Sequence, residues 1–326
     1  MRRFIFLATL ALTVPLDACS GGGGAAPSTP AGPAAVVTSA CSAPGGAVCT
    51  TVHFHVPAPQ SSAVPNERWP AYVSPSLATV AMNVSTVAGS GTKSLTFWHS
   101  YDLTVNTAHC ASDGSGGQVC SWQMPMPLSA SGLDDIKLDE LDPNGRVLAT
   151  NRLDGNNPEI AEFAEMTTQR VVSASGSVIS VGDADPNDSA MFPVVDHVAL
   201  ATDCPTSGCA LPLESGRPSR LGITPTLYDA GGNAIVGGPS NPAFLYTPVS
   251  LSVNDPAHIL SWPAPAPYQI TEVQNGGSWY GTDDASGNDI PTGLPAPSYS
   301  GSAGTATLAA SCATCSAPAT LALGPG

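Results

Sequence analysis

The feature that most restricts the fold of this chain is an alternation of apolar and polar residues with a period of two. In residues 51–56 (TVHFHV), Val52, Phe54 and Val56 would occupy one face of a strand and two histidines the other. Short turn-rich intervals separate such segments, and 33 glycines and 32 prolines in 326 residues oppose long helices. The sequence therefore predicts an all-β protein built from sandwiches. The other predicted strands are 79–87, 95–105, 136–141, 171–181, 194–201, 221–228 and 249–253.

The N-terminal residues predict export and a lipid anchor. Two arginines precede the apolar run 4–14, which has the length of a signal-peptide core and is too short to span a bilayer. Residues 16–19 (LDAC) resemble the lipobox of bacterial lipoproteins, which implies acylation of Cys19 and cleavage before it. The alternative is ordinary signal cleavage at the same small residues. We therefore expect a signal peptide at 1–18 and a lipid-anchored protein of the bacterial cell envelope.

The cysteines predict local disulfides. Of nine cysteines, assigning Cys19 to lipid leaves eight, which form four close pairs that each bracket a turn-like stretch. Turns bring their ends together, so bridging within each pair is the easy geometry, and each small loop would gain roughly 2–3 kcal/mol. The last pair also has the spacing of a redox site, but a structural bridge is favoured. The predicted disulfides are Cys41–Cys49, Cys110–Cys120, Cys204–Cys209 and Cys312–Cys315.

A short repeat, Asp-x-x-Gly-x-x-aliphatic, occurs three times. In a hairpin the aspartate caps the turn, the glycine supplies positive φ, and the aliphatic residue begins the return strand. The first two copies each follow a cysteine pair, which indicates a larger repeated unit. The copies place these residues at Asp142 and Gly145, at Asp229 and Gly232, and at Asp284 and Gly287.

The second copy resembles a known family. Residues 223–237 (ITPTLYDAGGNAIVG) resemble the strand–turn–strand of bacterial immunoglobulin-like domains of the invasin/intimin type, and residues 68–76 resemble the opening of multi-domain lipoproteins. The residues that match the family's turn in place are Asp229, Gly232, Asn233 and Gly237. The resemblance implies tandem immunoglobulin-like β-sandwiches.

Composition and spacing then suggest the division of the chain. Residues 19–40 are dominated by Gly, Ala, Pro, Ser and Thr and carry no charge, which is typical of a disordered tether. The predicted sandwiches span 41–172 and 173–265, and a small C-terminal β segment spans 266–326.

The charge of the chain limits its partners. The formal net charge of −15 repels phosphate backbones and anionic headgroups, so we expect no nucleic-acid partner and membrane contact through the lipid anchor only.

No motif indicates a catalytic site, and we expect no enzyme activity. Residues 113–117 (DGSGG) resemble the nucleophile loop of trypsin-like proteases, but their residue order is wrong. His53 and His55 share a strand face and can seat a metal, although solvent-facing histidines are the simpler interpretation.

Acidic loops are the candidate metal sites. Calcium is bound by several oxygen ligands, so Asp183, Asp185 and Asp188 are weak calcium candidates, and residues 283–289 offer a second set. The alternative is a solvated turn. No other cofactor is expected.

The position of the aromatic residues would distinguish between two predicted functions, adhesion and glycan binding. Trp98 and Trp122 lie in predicted strands and are expected in the core, whereas Trp279 and Tyr280 form either a sugar-stacking platform or hairpin packing. We expect a non-enzymatic surface protein acting in adhesion, binding or structural presentation. The alternative is a glycan-binding accessory module, which would carry aromatics on one exposed sheet face. The partner would be an unidentified surface protein or glycan.

Overall fold

A computed structural model shows an all-β protein, as the alternation predicts. Every regular element of the described residues is a strand, and none of their segments is a helix long and apolar enough to cross a membrane. The described residues lie within one compact unit, Ala35–Gly326. They are 41–58, 73–88, 94–153, 157, 168–172, 178–181, 190–202, 222–237, 242–262, 266–274, 279–283, 297–299 and 304–323.

Nineteen strands occur in the described residues. They are β1 (Ala47–Val56), β2 (Thr79–Ala88), β3 (Ser94–Thr104), β4 (Cys110–Ser112), β5 (Gln118–Pro127), β6 (Leu133–Leu141), β7 (Val147–Thr150), β8 (Gln169–Val171), β9 (Val178–Val181), β10 (Phe192–Pro193), β11 (His197–Thr202), β12 (Ile223–Tyr228), β13 (Ala243–Asn254), β14 (Leu260–Ser261), β15 (Tyr268–Gln274), β16 (Trp279–Asp283), β17 (Ser298–Tyr299), β18 (Ala306–Ser311) and β19 (Ala319–Leu323).

The first immunoglobulin-like β-sandwich consists of two sheets. One has the order β4-β5-β1-β9, and the other has the order β10-β7-β6-β2-β3, with β8 paired to β6. Alternate residues of β1 and β2, among them Phe54 and Met82, are fully buried in one hydrophobic cluster. Trp122 of β5 is also buried there, edge-on to Phe54 at 6.2 Å, as the sequence predicts.

The second sandwich is built around a five-stranded sheet of order β16-β15-β13-β18-β19. The hairpin β11–β12 and the two-stranded sheet β14–β17 accompany it. Its buried side chains include Leu245, Leu251, Tyr268 and Ile270, which are all 0–1% exposed. These residues alternate along β13 and β15, so the period of two again places one face of each strand in the core.

Strand pairing crosses both predicted domain boundaries. β9 and β10 follow residue 173, yet they pair with β1 and β7 of the first sandwich. β15, β16, β18 and β19 follow residue 266, yet they share a sheet with β13. Periodicity assigns residues to a face but does not choose the partner strand. The division of the chain into domains stays a prediction.

Three of the four predicted disulfides are present. They join Cys41 to Cys49, Cys110 to Cys120 and Cys312 to Cys315. Cys110 and Cys120 lie directly opposite one another on β4 and β5, with their Cα atoms 3.9 Å apart. The fourth pair, Cys204 and Cys209, lies outside the described residues.

Candidate functional site

The first two copies of the repeat form similar turns. Asp142 accepts hydrogen bonds from the backbone N–H groups of Asn144 (2.8 Å) and Arg146 (2.9 Å). Asp229 accepts the corresponding bond from the backbone N–H of Asn233 at 2.9 Å. The glycine of each turn has positive φ, +78° in the first and +79° in the second. The third copy, at Asp284 and Gly287, lies outside the described residues.

A serine segment before β2 packs onto the second turn. The hydroxyl of Ser74 donates to Asp229 Oδ2 at 2.6 Å, and the amide of Asn233 donates to the hydroxyls of Ser74 (3.1 Å) and Ser76 (2.9 Å). A Cβ on Gly231 would lie only 2.5 Å from Ser76 Cβ, so the turn needs a glycine to accept this segment. Residues that are distant in sequence therefore form one polar network around the buried Ser74 and Asp229.

The two turns also contact each other directly. The Arg146 guanidinium donates from Nε to Asp142 Oδ2 (2.8 Å) and from Nη2 to the carbonyl of Ala230. Burial favours the neutral acid at Asp142, but hydrogen bonds from Arg146 and Asn144 outweigh it and lower the pKa of Asp142. We call this network of Ser74, Ser76, Arg146, Asp229 and Asn233 the turn junction. It joins the two sandwiches: Ser74, Ser76, Asp229 and Asn233 bond to one another, and Arg146 bonds to Asp142 and to the carbonyl of Ala230.

The loop 113–117 is fastened to β1. His55 Nε2 lies 2.9 Å from Asp113 Oδ2, and the Ser115 hydroxyl donates to the same oxygen at 2.8 Å. Burial alone would raise the pKa of Asp113, but the hydrogen bonds from His55 and Ser115 lower it to about 2. In a catalytic triad the serine hydroxyl donates to the imidazole, whereas here it donates to the carboxylate. The three residues therefore hold the hairpin against β1, in an arrangement that differs from a catalytic triad.

The structure gives no metal site in the part of the chain that it describes. Within those ranges, no group of three His, Cys, Asp or Glu side chains is placed to hold an ion. The calcium candidates Asp183, Asp185 and Asp188 lie outside them, as does the lipidation site Cys19. Their roles stay predictions.

Among the described strands, β3 carries the two most exposed large apolar side chains. It lies at the end of its sheet, and Leu95 and Phe97 are 50% and 64% exposed. A register shift between Val84 and Ser85 of β2 leaves Trp98 as an extra, bulged residue of β3. On one side of the bulge His99 lies opposite the buried Val84, and on the other side Phe97 lies opposite the partly exposed Ser85. The bulge therefore turns Phe97 onto the outer face of the sheet.

Polar residues surround Phe97 on this outer face. Directly opposed residues of an antiparallel pair share a face, which places Ser100 beside Asn83. The hydroxyl of Ser100 donates to Asn83 Oδ1 at 2.6 Å. Asp102, two residues further along β3, is exposed and lies on the same face. We call Asn83, Ser85, Phe97, Ser100 and Asp102 the outer-face patch.

Aromatic residues next to Phe97 hold the strand in place. The ring of Tyr101 lies 4.6 Å from that of His99 and 6.4 Å from that of Trp98. The Tyr101 hydroxyl donates to the carbonyl of Pro125 in the opposite sheet at 2.5 Å, and burial raises the pKa of Tyr101 to about 12. These contacts fix the edge strand, so Phe97 is presented from a rigid support.

Two aromatic residues differ from the sequence prediction. Trp98 was expected in the core, but it is only partly buried and packs against the core from the bulge. Phe97 was not singled out at all. The available signal was the adjacency of Phe97 and Trp98, because two consecutive large apolar residues cannot both face the core of a regularly alternating strand. The side chains of Trp279 and Tyr280 lie outside the described set.

Comparisons with known proteins do not indicate a function for this chain. The sequence matches no protein-family model and no curated protein. Among solved structures, the β-glucuronidase of Parabacteroides merdae with glycerol in its active site matches 77% of this chain and 21% of its own, at 10% identity and a TM-score of 0.23. The D00-D0 domain of intimin matches 64% of this chain and 71% of its own, at 12% identity and a TM-score of 0.21. The chain thus spans about a fifth of the length of that glucuronidase, and TM-scores this low carry no argument about activity or partners.

Proposed function

We propose that this chain is a non-enzymatic, exported protein of the bacterial cell envelope, lipid-anchored at Cys19, that binds its partner through the outer-face patch. The observation that carries this proposal is the exposure of Phe97, 64% on the outer face of an edge strand. Single exposed apolar residues are common, but here a bulge turns the ring outward, and bulges often re-aim side chains next to functional sites.

The geometry favours binding at this position. Covering a fully exposed phenylalanine contributes about 1.5–3 kcal/mol, so a partner that covers Phe97 gains much of that amount. The contacts of Trp98 and Tyr101 with neighbouring rings and with the opposite sheet already order the strand. A rigid binding surface loses less conformational entropy on association, which leaves more of the contact energy as affinity.

The proposed absence of catalysis rests on the described polar clusters. The turn junction uses its carboxylate and hydroxyl groups to fasten backbone segments, and the Ser115 hydroxyl donates to Asp113. Catalysis needs titratable groups that converge on a position where substrate can sit. The turn junction and the Asp113 loop instead have their polar groups bonded to one another.

The test is a ligand screen with matched variants. Purified protein is applied to arrays of glycans and of extracellular-matrix and envelope proteins, as wild type, Phe97→Ala and Val147→Ala. Val147 is the control because it is 36% exposed but lies on β7, separated from β3 by β6 and β2. We expect at least one ligand whose binding falls tenfold or more in Phe97→Ala and is unchanged in Val147→Ala. Ligands that bind both variants equally would contradict the proposal.

A further inference from the structure

We infer that the ligand of the outer-face patch is a neutral oligosaccharide or polysaccharide, with Phe97 stacked on a sugar ring. This inference rests on the proposed function, because it names the ligand of the same surface. It assigns a role to each polar residue of the patch and predicts how affinity depends on the length and charge of the sugar.

Phe97 supplies the stacking surface. An aromatic face carries partial negative charge, and it attracts the weakly positive C–H groups on the flat side of a pyranose. A sugar ring is otherwise covered in hydroxyls, so the same ligand needs hydrogen-bonding groups beside the aromatic ring. The outer-face patch has both kinds of group, with Phe97 next to a hydrogen-bonded pair of polar side chains.

Asn83, Ser100 and Asp102 supply the hydrogen bonds. The bond from Ser100 to Asn83 uses the amide oxygen of Asn83, so the two N–H donors of that amide can serve a ligand. The Ser100 oxygen and the Asp102 carboxylate are acceptors. Sugar hydroxyls both donate and accept, so these three side chains match them without a change of protonation.

The charge of the chain favours a neutral sugar. Two exposed charges of opposite sign lie on this face, Asp102 and Lys137, which is directly opposite Asn83, so the face itself is close to neutral. The whole chain carries a formal charge of −15, which repels sulfated or uronic-acid polymers, whereas hydrogen bonding to neutral hydroxyls is not opposed.

The bulge argues against a peptide strand as the occupant. A partner strand that extends a sheet needs a regular row of N–H and C=O groups along the free edge. The bulge at Trp98 interrupts that row in the middle of β3, and such bulges protect edges from pairing. A ligand that contacts the face of the sheet is not affected by this irregularity.

The patch is long enough for several sugars. Phe97 and Asp102 are five residues apart on a strand, which corresponds to roughly 15 Å at about 3.3 Å per residue. A disaccharide would therefore reach only part of the patch. Affinity should rise with chain length until the sugar spans from Phe97 to Asp102.

The experiment measures oligosaccharide binding to the detergent-solubilised full chain by isothermal titration calorimetry. The probes are cellohexaose, maltohexaose, mannohexaose and chitohexaose, the matching disaccharides, and heparin as the polyanionic control. We expect at least one neutral hexasaccharide to bind ten times or more tightly than its disaccharide, and heparin not to bind. Phe97→Ala should weaken that binding at least tenfold and Asn83→Ala about threefold, whereas Val147→Ala should leave it unchanged.

The outcomes separate this inference from the proposed function. If no neutral hexasaccharide binds but an array protein binds in a Phe97-dependent manner, the sugar inference is overturned and the proposed function stands. If no ligand of either kind depends on Phe97, the proposed function itself fails. Hexasaccharide binding that is equal in wild type and Phe97→Ala, or heparin binding that is tighter than neutral binding, also overturns the inference.

Discussion

The turn junction predicts that Asp229→Ala is strongly destabilising. Asp229 is fully buried and accepts hydrogen bonds from the Ser74 hydroxyl (2.6 Å) and from the backbone and side-chain N–H groups of Asn233 (2.9 and 3.2 Å). Alanine would leave the buried Ser74 hydroxyl and the partly buried Asn233 backbone N–H without this acceptor. An unsatisfied buried group costs about 1–3 kcal/mol and a partly buried one less, so we expect a loss of about 2–4 kcal/mol.

The corresponding residue of the first turn provides the matched comparison. Asp142 has the same place in the repeat, but its partner Arg146 has a side chain that is 50% exposed. Water can replace part of the hydrogen bonding that Asp142→Ala removes, so this change should lower the free energy of unfolding by only about 1–2 kcal/mol. Urea unfolding followed by tryptophan fluorescence and circular dichroism gives both values, and coincidence of the two signals checks that one transition is being measured.

A double-mutant cycle then tests the long-range bond itself. Ser74 and Asp229 are 155 residues apart in sequence, so a coupling between them reports the contact across the junction. We expect Ser74→Ala and Asp229→Ala to be non-additive by about 1–2 kcal/mol. Equal costs for the two aspartates, together with additive effects of Ser74 and Asp229, would refute the buried junction.

The other predictions concern single residues. Gly232→Val should cost about 1–2 kcal/mol in thermal unfolding through backbone strain alone, because a Cβ there meets nothing within 4 Å, and Gly232→Asn should cost less. The pKa of Asp113 is lowered from 3.8 to about 2, so its bond to His55 should stabilise the protein above about pH 4. This stabilisation should be lost as the pH falls toward 2. NMR titration of Asp113 measures the pKa, and an ordinary value would contradict the prediction. Mass spectrometry should find the mature N-terminus acylated at Cys19, and a free amine at another residue excludes the anchor. If the acidic loop binds calcium, millimolar calcium should raise the melting temperature, and Asp185→Ala should abolish that rise.

The sequence predicts faces and turns well, because these depend on neighbouring residues. The alternation in residues 51–56 places Val52 and Phe54 in the core, where both are fully buried. Close cysteine spacing predicts the local disulfides, since short loops already bring their ends together. Such features need no knowledge of the rest of the fold.

Strand partners and the binding surface depend on distant residues, and the sequence does not reveal them. Nothing in β13 indicates that β18 is its neighbour, because a period of two is satisfied by any partner. The exposure of Phe97 depends on the register between β2 and β3, where the bulge shifts the alternation. In the sequence, Ser74 is noticeable only as part of the segment 68–76 that resembles a known family. Its contact with Asp229 is visible only in the folded chain.

The parallel pairing of β1 with β9 has a consequence for the order of folding. The chain is synthesised from its N-terminus, so β1 and β5 can form their antiparallel ladder early, but residues 178–181 arrive much later. Until then the edge of β1 that faces β9 has no strand to pair with, and closing so long a loop is slow. Completion of the first sandwich therefore waits for a segment beyond its own hairpins, and during that interval the unpaired edge of β1 is open to aggregation and proteolysis.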